Sequence, residues 1–234
     1  MEWKIVHIDE TDSTNRWLRE QGGGEDMVVR ADYQTAGRGC DTNAWESERG
    51  SNLLFSMLLH PVDVPVRDQF RISMAASVAL CEVLSHYADG FTVKWPNDIY
   101  WLDYKICGML IESRVQGSHL KDCIVGIGLN VNQKQFRSDA PNPISLSRII
   151  GHDIDCDRLL HAFLERFEDA FRRDALAADY ANRLFRREKW AEYADKTGRF
   201  AAVLNGVESD GRLVLTDETG QQRTYAFKEV KFII

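Results

Sequence analysis

Four short stretches of this chain hold residue types that core packing alone does not require. The first is Asp12-Ser13-Thr14-Asn15, directly ahead of a segment with helical spacing. Read structurally it is a capping sequence. Read chemically it is a cluster of small donors and acceptors beside the free N–H groups of a helix start, which suits a compact polar head such as a urea ring. The second runs Gln34-Thr35-Ala36-Gly37-Arg38-Gly39 and on through Trp45 to Gly50-Ser51-Asn52. Glycines either side of an arginine let the backbone approach a ligand, and a guanidinium held there suits a carboxylate or phosphate oxygen. A flexible surface loop carries the same composition. The third is Lys94-Trp95-Pro96-Asn97-Asp98, followed by Lys105 and Gly108. It is either a strand, a proline turn and a second strand, or two cations set beside amide and carboxylate groups as a nucleotide and metal environment needs. The fourth, Gly126-Ile127-Gly128-Leu129-Asn130, fails as a dinucleotide fingerprint, lacking the third glycine and a following helix. It reads as a strand thinned by glycine so that something can come close.

These stretches have to be positioned by regular elements. Strands are expected at Trp3–Ile8, Met27–Gln34, Asn52–His60, Thr92–Trp95, Ile99–Leu102, Ile106–Val115 and Cys123–Asn132. A helix starts at Asp12 or Ser13 and runs to Gln21, where Gly22-Gly23-Gly24 stops it. The main helix is expected over Phe70–Tyr87, where Phe70, Ile72, Met74, Ala75, Val78, Cys81 and Leu84 recur at helical spacing. Two more are expected over Asp157–Arg172 and Ala177–Tyr193. Thr35 to Ser51 is a long loop, and such loops inside compact domains are more often functional than idle. From Thr197 the pattern changes to short strands split by turns at Ser209-Asp210-Gly211 and Glu218-Thr219-Gly220. The fold class is α+β, a mixed sheet packed on helices followed by a small all-β unit, with the division placed at 1–192 and 193–234.

Composition bounds the partners. The formal charge is −7 over 234 residues, with no basic block, which argues against nucleic acid and anionic membrane. Five cysteines, odd in number and never in CxxC spacing, read as free thiols in a reducing compartment. The six histidines form no ligand-spaced set, so no structural metal is expected. MEWKIVHIDE has no apolar signal region and no run is long enough to span a membrane. A cytoplasmic protein is expected.

Taken in order, the motifs DSTN, QTAGRG…W…G-x-NL-x-FS, KWPNDIY…K-x-x-G-x-L-x-E and GIGLN resemble one family, the biotin–protein ligases, over residues 12 to 132. The resemblance implies the class II synthetase-like catalytic fold of that family with a C-terminal SH3-like β-barrel. It implies an enzyme that makes biotinyl-5'-AMP from biotin and ATP with Mg²⁺, then transfers biotin to a lysine of a biotin carboxyl carrier protein. On that template Ser13, Thr14, Asn15, Gln34, Arg38, Gly39, Cys40, Lys105 and Gly108 hold biotin. Arg38, Trp45, Lys94, Asn97, Asp98 and Asn130 fall on the ATP side, with Lys105 and Arg38 as the catalytic cations. No side chain is assigned as a resident metal ligand. Members of the family can pair through exposed sheet, so a homodimer is possible.

Two departures stand out. The family's loop continues GRG-R-x-G-x-x-W, whereas here Cys40 replaces the second arginine and Thr42 the glycine. Losing that cation should weaken the hold on the adenylate by roughly 1–3 kcal/mol, the scale of a charge-assisted hydrogen bond. The DSTN motif also begins at residue 12, which leaves no room ahead of it for the winged-helix domain of ligases that double as repressors. DNA binding is therefore not expected. Two rival readings remain: a lipoate–protein ligase, from which KWPND and the GRG loop discriminate, and a non-catalytic biotin- or nucleotide-binding sensor, which would not need both Arg38 and Lys105.

Overall fold

The structure is a computed structural model that describes residues 3–21, 23–39, 44–61, 64–138 and 141–234. Its centre is a seven-stranded mixed sheet: β1 (Lys4–Thr11), β2 (Met27–Gln34), β3 (Leu53–Leu59), β4 (Phe91–Lys94), β5 (Asp98–Trp101), β6 (Tyr104–Gln116) and β7 (His119–Leu129). The strand order is β1-β2-β3-β7-β6-β5-β4. Only β1 and β2 run parallel, because α1 (Thr14–Gln21) crosses between them; the other neighbours are antiparallel.

Side chains alternate across the sheet, which divides it into two unequal faces. Phe55, Met57, Cys107, Met109, Val125 and Ile127 point into the main core, against α2 (Phe70–Leu84) and α4 (Cys156–Arg172). The alternate residues face α1. There Met27, Val29, Leu58 and Ile124 pack on Leu18 in a small satellite cluster, and next to it the same face is stripped to Gly108, Gly126 and Gly128. One face supplies stability; the other leaves a hollow.

The C-terminal residues form a separate sheet, ordered β11-β10-β9-β8-β12, from β8 (Trp190–Asp195), β9 (Gly198–Val207), β10 (Leu213–Asp217), β11 (Gln222–Tyr225) and β12 (Lys231–Phe232), all antiparallel. The helix expected over Ala177–Tyr193 is corrected here. α5 covers only Leu176–Asn182, and Trp190–Asp195 is a strand. The backbone at Arg183 and Phe185 bonds instead to Val93 on β4, and Arg186 and Glu188 take left-handed conformations that no helix tolerates. Pairing with two sheets overrides the expected continuation of the helix. A short α3 (Leu146–Ile150), ended by Gly151 at φ 87°, was not foreseen. Among the described residues no helix is long and apolar enough to cross a membrane.

Candidate functional site

The hollow on the α1 face is a cleft of about 200 Å³, lined by residues from all four motifs. Ser13, Thr14, Asn15, Gln34, Arg38, Gly39, Trp45, Asn97, Asp98, Lys105, Gly108, Gly126 and Gly128 all border it. A second cavity of about 570 Å³ adjoins it, and Lys94 and Asn130 line that one. Ala44, Trp45, Asp98 and Lys105 border both, so the two spaces meet where Trp45, Asp98 and Lys105 converge. Every site residue picked from the sequence therefore borders one or both cavities, except Cys40, which with Thr42 lies outside the described residues.

The closed end of the cleft is a hydrogen-bonded lattice. Ser13, Thr14 and Asn15 are buried where α1 begins. Gln34 Oε1 accepts from the Thr14 backbone N–H (2.8 Å) and the Thr14 hydroxyl (3.1 Å), which leaves the Gln34 amide nitrogen on the Gly37 side. Ser56 Oγ stands 2.6 Å from both Thr14 Oγ1 and Asn15 Oδ1. Asn15 Nδ2 donates to the Leu110 carbonyl (3.2 Å) and to Glu112 Oε2 (2.8 Å). Glycine at 126 is required by this lattice, since a Cβ there would lie 2.1 Å from Asn15 Oδ1.

The loop after β2 is stitched down at both ends. Thr35 and Ala36 N–H groups donate to Thr11 and Asp12 carbonyls, and the Trp45 N–H donates to Gly37 O at 2.9 Å. The Trp45 ring lies over the glycine floor: a Cβ on Gly108 would meet it at 2.8 Å and one on Gly128 at 2.5 Å. Arg38 is exposed at the rim, and among the described residues its guanidinium makes no ion pair. Beyond Trp45, Glu46 accepts the Arg137 and Ser138 N–H groups at 2.7 Å each. That tie fixes the outer wall of the second cavity, where Phe136, Ser138 and Asn142 lie.

Lys105 reaches the cleft through a β-bulge. Ile99 pairs with Cys107 but Tyr100 pairs with Lys105, so Ile106 is an extra residue on β6. Ile106 and Cys107 both turn into the main core. Lys105 is thereby returned to the face of Gly108, although the two are three positions apart and plain alternation would oppose them. Its ammonium sits 2.7 Å from Asp98 Oδ2 and 5.8 Å from the Trp45 ring centroid. Lys94 lies over the rings of Tyr100 (5.5 Å) and Phe232 (5.2 Å). Burial pushes its pKa down, Asp98 pulls it up, and Lys105 and Arg186 push it down further. The turn between them is pinned from outside: Trp95 Nε1 donates to Gly211 O (2.9 Å) and the Tyr180 hydroxyl to Pro96 O (2.7 Å).

Biotin/lipoate A/B protein ligases are the family whose sequence model matches this chain, over residues 7–130. The chain belongs to that family. Its curated relatives include the bifunctional ligase/repressor BirA of Bacillus spizizenii, 30% identical over 94% of this chain and 70% of that protein. They also include the biotin–[acetyl-CoA-carboxylase] ligase of Paracoccus denitrificans, 27% identical over 91% and 94%. Among solved structures, the biotin protein ligase of Aquifex aeolicus in complex with biotin and ATP superposes with a TM-score of 0.83 over 98% of this chain and 99% of that one, at 24% identity. The likeness identifies the fold as that of the biotin ligases.

Three bordering or supporting residues had no role assigned from sequence. Ser56 and Glu112 fall inside the quoted motifs, and Ser56 is the one polar side chain in the buried strand Leu53–Leu59, which is the signal it gave. Phe227 reaches the cleft from the C-terminal sheet region and stacks edge-on against Trp95 at 6.0 Å. No local pattern announces it.

Proposed function

We infer that this protein is an ATP-dependent biotin–protein ligase. The observation that carries the reading is the meeting of two cavities at Lys105, Asp98 and Trp45, the first closed at its far end by the small neutral polar groups of Ser13, Thr14, Asn15 and Gln34, the second lined by Lys94, Asn130, Asn142 and Glu46. In this reading Ser13, Thr14, Asn15 and Gln34 bind the urea ring of biotin, and the valeryl chain runs over Gly108 toward Lys105. Trp45, Lys94, Asn97, Asp98 and Asn130 form the nucleotide side. Asn130 Oδ1 and Trp45 Nε1, buried without a hydrogen-bond partner among the described residues, suit that role.

The first step joins two anions, since a biotin oxygen must attack the α-phosphorus of ATP as pyrophosphate departs. Lys105 stands at the junction and stabilises charge spreading onto the phosphoryl oxygens, with Arg38 closing from the rim. Asp98 keeps the Lys105 ammonium compensated before substrates arrive. In the second step an acceptor lysine amine attacks the acyl carbon of the mixed anhydride and AMP leaves. The loop carrying Arg38, Gly39 and Cys40 serves to shield that anhydride from water. No cluster of three His, Cys, Asp or Glu exists among the described residues, so Mg²⁺ would arrive with the ATP phosphates and neutralise their charge. Asp98 is the carboxylate in place to help hold it. The acceptor in this reading is a biotin carboxyl carrier domain, residues 193–234 form a distinct C-terminal domain, and the setting is the cytoplasm.

ATP–pyrophosphate exchange measured with biotin and with lipoate decides between the two acids of the family. Biotin should drive exchange and lipoate should not; the reverse result refutes the assignment.

A further inference from the structure

Glu112 borders neither cavity and touches no site reserved for a ligand, yet it sits beneath the closed end in a specific way. It lies on β6, its Oε1 2.6 Å from Arg19 Nη2 and its Oε2 2.8 Å from Asn15 Nδ2. Asn15 and Arg19 are four residues apart on α1, so one helix face presents both groups to the same carboxylate. Each carboxylate oxygen has its own partner.

An asparagine amide has a donor end and an acceptor end of nearly equal shape, and its neighbours decide which faces where. Here the neighbours on one side are Leu110 O and Glu112 Oε2, both of which only accept. Both Nδ2 hydrogens are therefore spent on that side. The carbonyl oxygen is forced to the opposite side, above Gly126 and 2.6 Å from Ser56 Oγ. A flipped amide would set its one carbonyl oxygen against both of these acceptors. Asn15 consequently offers the cleft an acceptor only, with one lone pair left after Ser56. Gln34, turned by the Thr14 N–H, offers its amide nitrogen as a donor. A urea has N–H donors and a carbonyl acceptor, so the polarity of both amides matters.

We propose that Glu112 is a positioning residue for biotin: with Arg19 it locks the Asn15 amide so that the closed end presents an acceptor at Asn15. This rests on the biotin-ligase reading. The lock acts through Asn15 and not on the reacting atoms, so it governs biotin binding and leaves the nucleotide side alone.

The test uses the full chain labelled with ¹⁵N-asparagine, in wild type, Glu112→Gln and Glu112→Leu, with Asn15→Asp to assign the signal. The Asn15 side-chain hydrogens should exchange slowly with solvent in wild type and in Glu112→Gln, where the new amide oxygen still accepts. In Glu112→Leu that protection should be lost and KM for biotin should rise about tenfold, the cost of one broken buried hydrogen bond, with KM for ATP unchanged. Unchanged protection in Glu112→Leu overturns the proposal. So does a parallel rise of both KM values, or a Glu112→Gln variant as impaired as Glu112→Leu. A wild type lacking biotin-dependent exchange would refute the ligase reading, and the amide protection would still decide the role of Glu112.

Discussion

At the closed end of the cleft, Thr14, Asn15, Gln34, Ser56 and Glu112 are tied to one another, each polar atom oriented by the next. At the junction with the second cavity the side chains are long and charged, and their partners are few: Lys105 with Asp98, Lys94 over two rings, Arg38 exposed at the rim. The neutral end is finished before a ligand arrives, so binding there loses little entropy. The charged end cannot be finished in advance, because its partners are the anions of the substrates. Uncompensated cations held that close would repel one another, and Asp98 is what offsets this. The difference predicts that damage at the two ends separates into rate and affinity.

The largest effect is expected from Lys105→Ala. It removes the cation where the two anions meet, and biotin-dependent ATP–pyrophosphate exchange should fall by about 10²–10³-fold, the scale of losing one preorganised charge-stabilising group. Biotin affinity, measured separately by calorimetry, should fall far less. If both fall together, the junction is a binding element and the contrast between the ends is wrong.

Next is Gly126→Ala. The added Cβ would sit 2.1 Å from Asn15 Oδ1 and must displace it. Overpacking of this kind costs about 1–3 kcal/mol, and here it should appear as weaker biotin binding with ATP binding unaffected. Gly128→Ala makes the useful control, because there the clash is with the Trp45 indole and the loss should move to the nucleotide. A milder break of the lattice is Ser56→Ala, which deprives Asn15 and Thr14 of a shared hydroxyl. About 1 kcal/mol is expected, read as a several-fold rise in biotin KM alongside a small drop in melting temperature.

The two ends were also unequally legible in the sequence. The four motifs named most of the cleft because glycine, arginine, lysine and asparagine stand out where core packing asks for something else. Glu112 and Ser56 lay inside those motifs without a role, since a residue that works by orienting another gives no signal of its own. The route of Lys105 to the cleft was hidden too. Strand alternation counts Lys105 and Gly108 onto opposite faces, and only the bulge at Ile106, a tertiary feature, reunites them. Phe227 is brought in by packing between distant segments, which no local spacing records. The fold followed hydrophobic periodicity through most of the first sheet. It failed at Leu184 to Tyr193, where hydrogen bonds to β4 and β9 outweighed a helical spacing.

The smallest effect, and the finest test of the contrast, is the pH dependence of the charged end. Lys94 is surrounded by Asp98, Lys105 and Arg186 and lies between the rings of Tyr100 and Phe232. Burial is the largest influence and lowers its pKa from 10.5, with Asp98 opposing and the two cations assisting. For a base whose folded pKa is depressed, the folded state sheds its proton first. Stability therefore rises as pH climbs from the lowered pKa toward 10.5, while the cation offered to the nucleotide is lost over the same window. KM for ATP should accordingly climb by a few-fold on an alkaline limb that begins below 10.5, with biotin KM flat across it. Lys94→Arg should remove that limb, because a guanidinium keeps its charge throughout. A limb that persists in Lys94→Arg would overturn its assignment to Lys94; a limb in biotin KM as well would mean the neutral end is not insulated from the charged one.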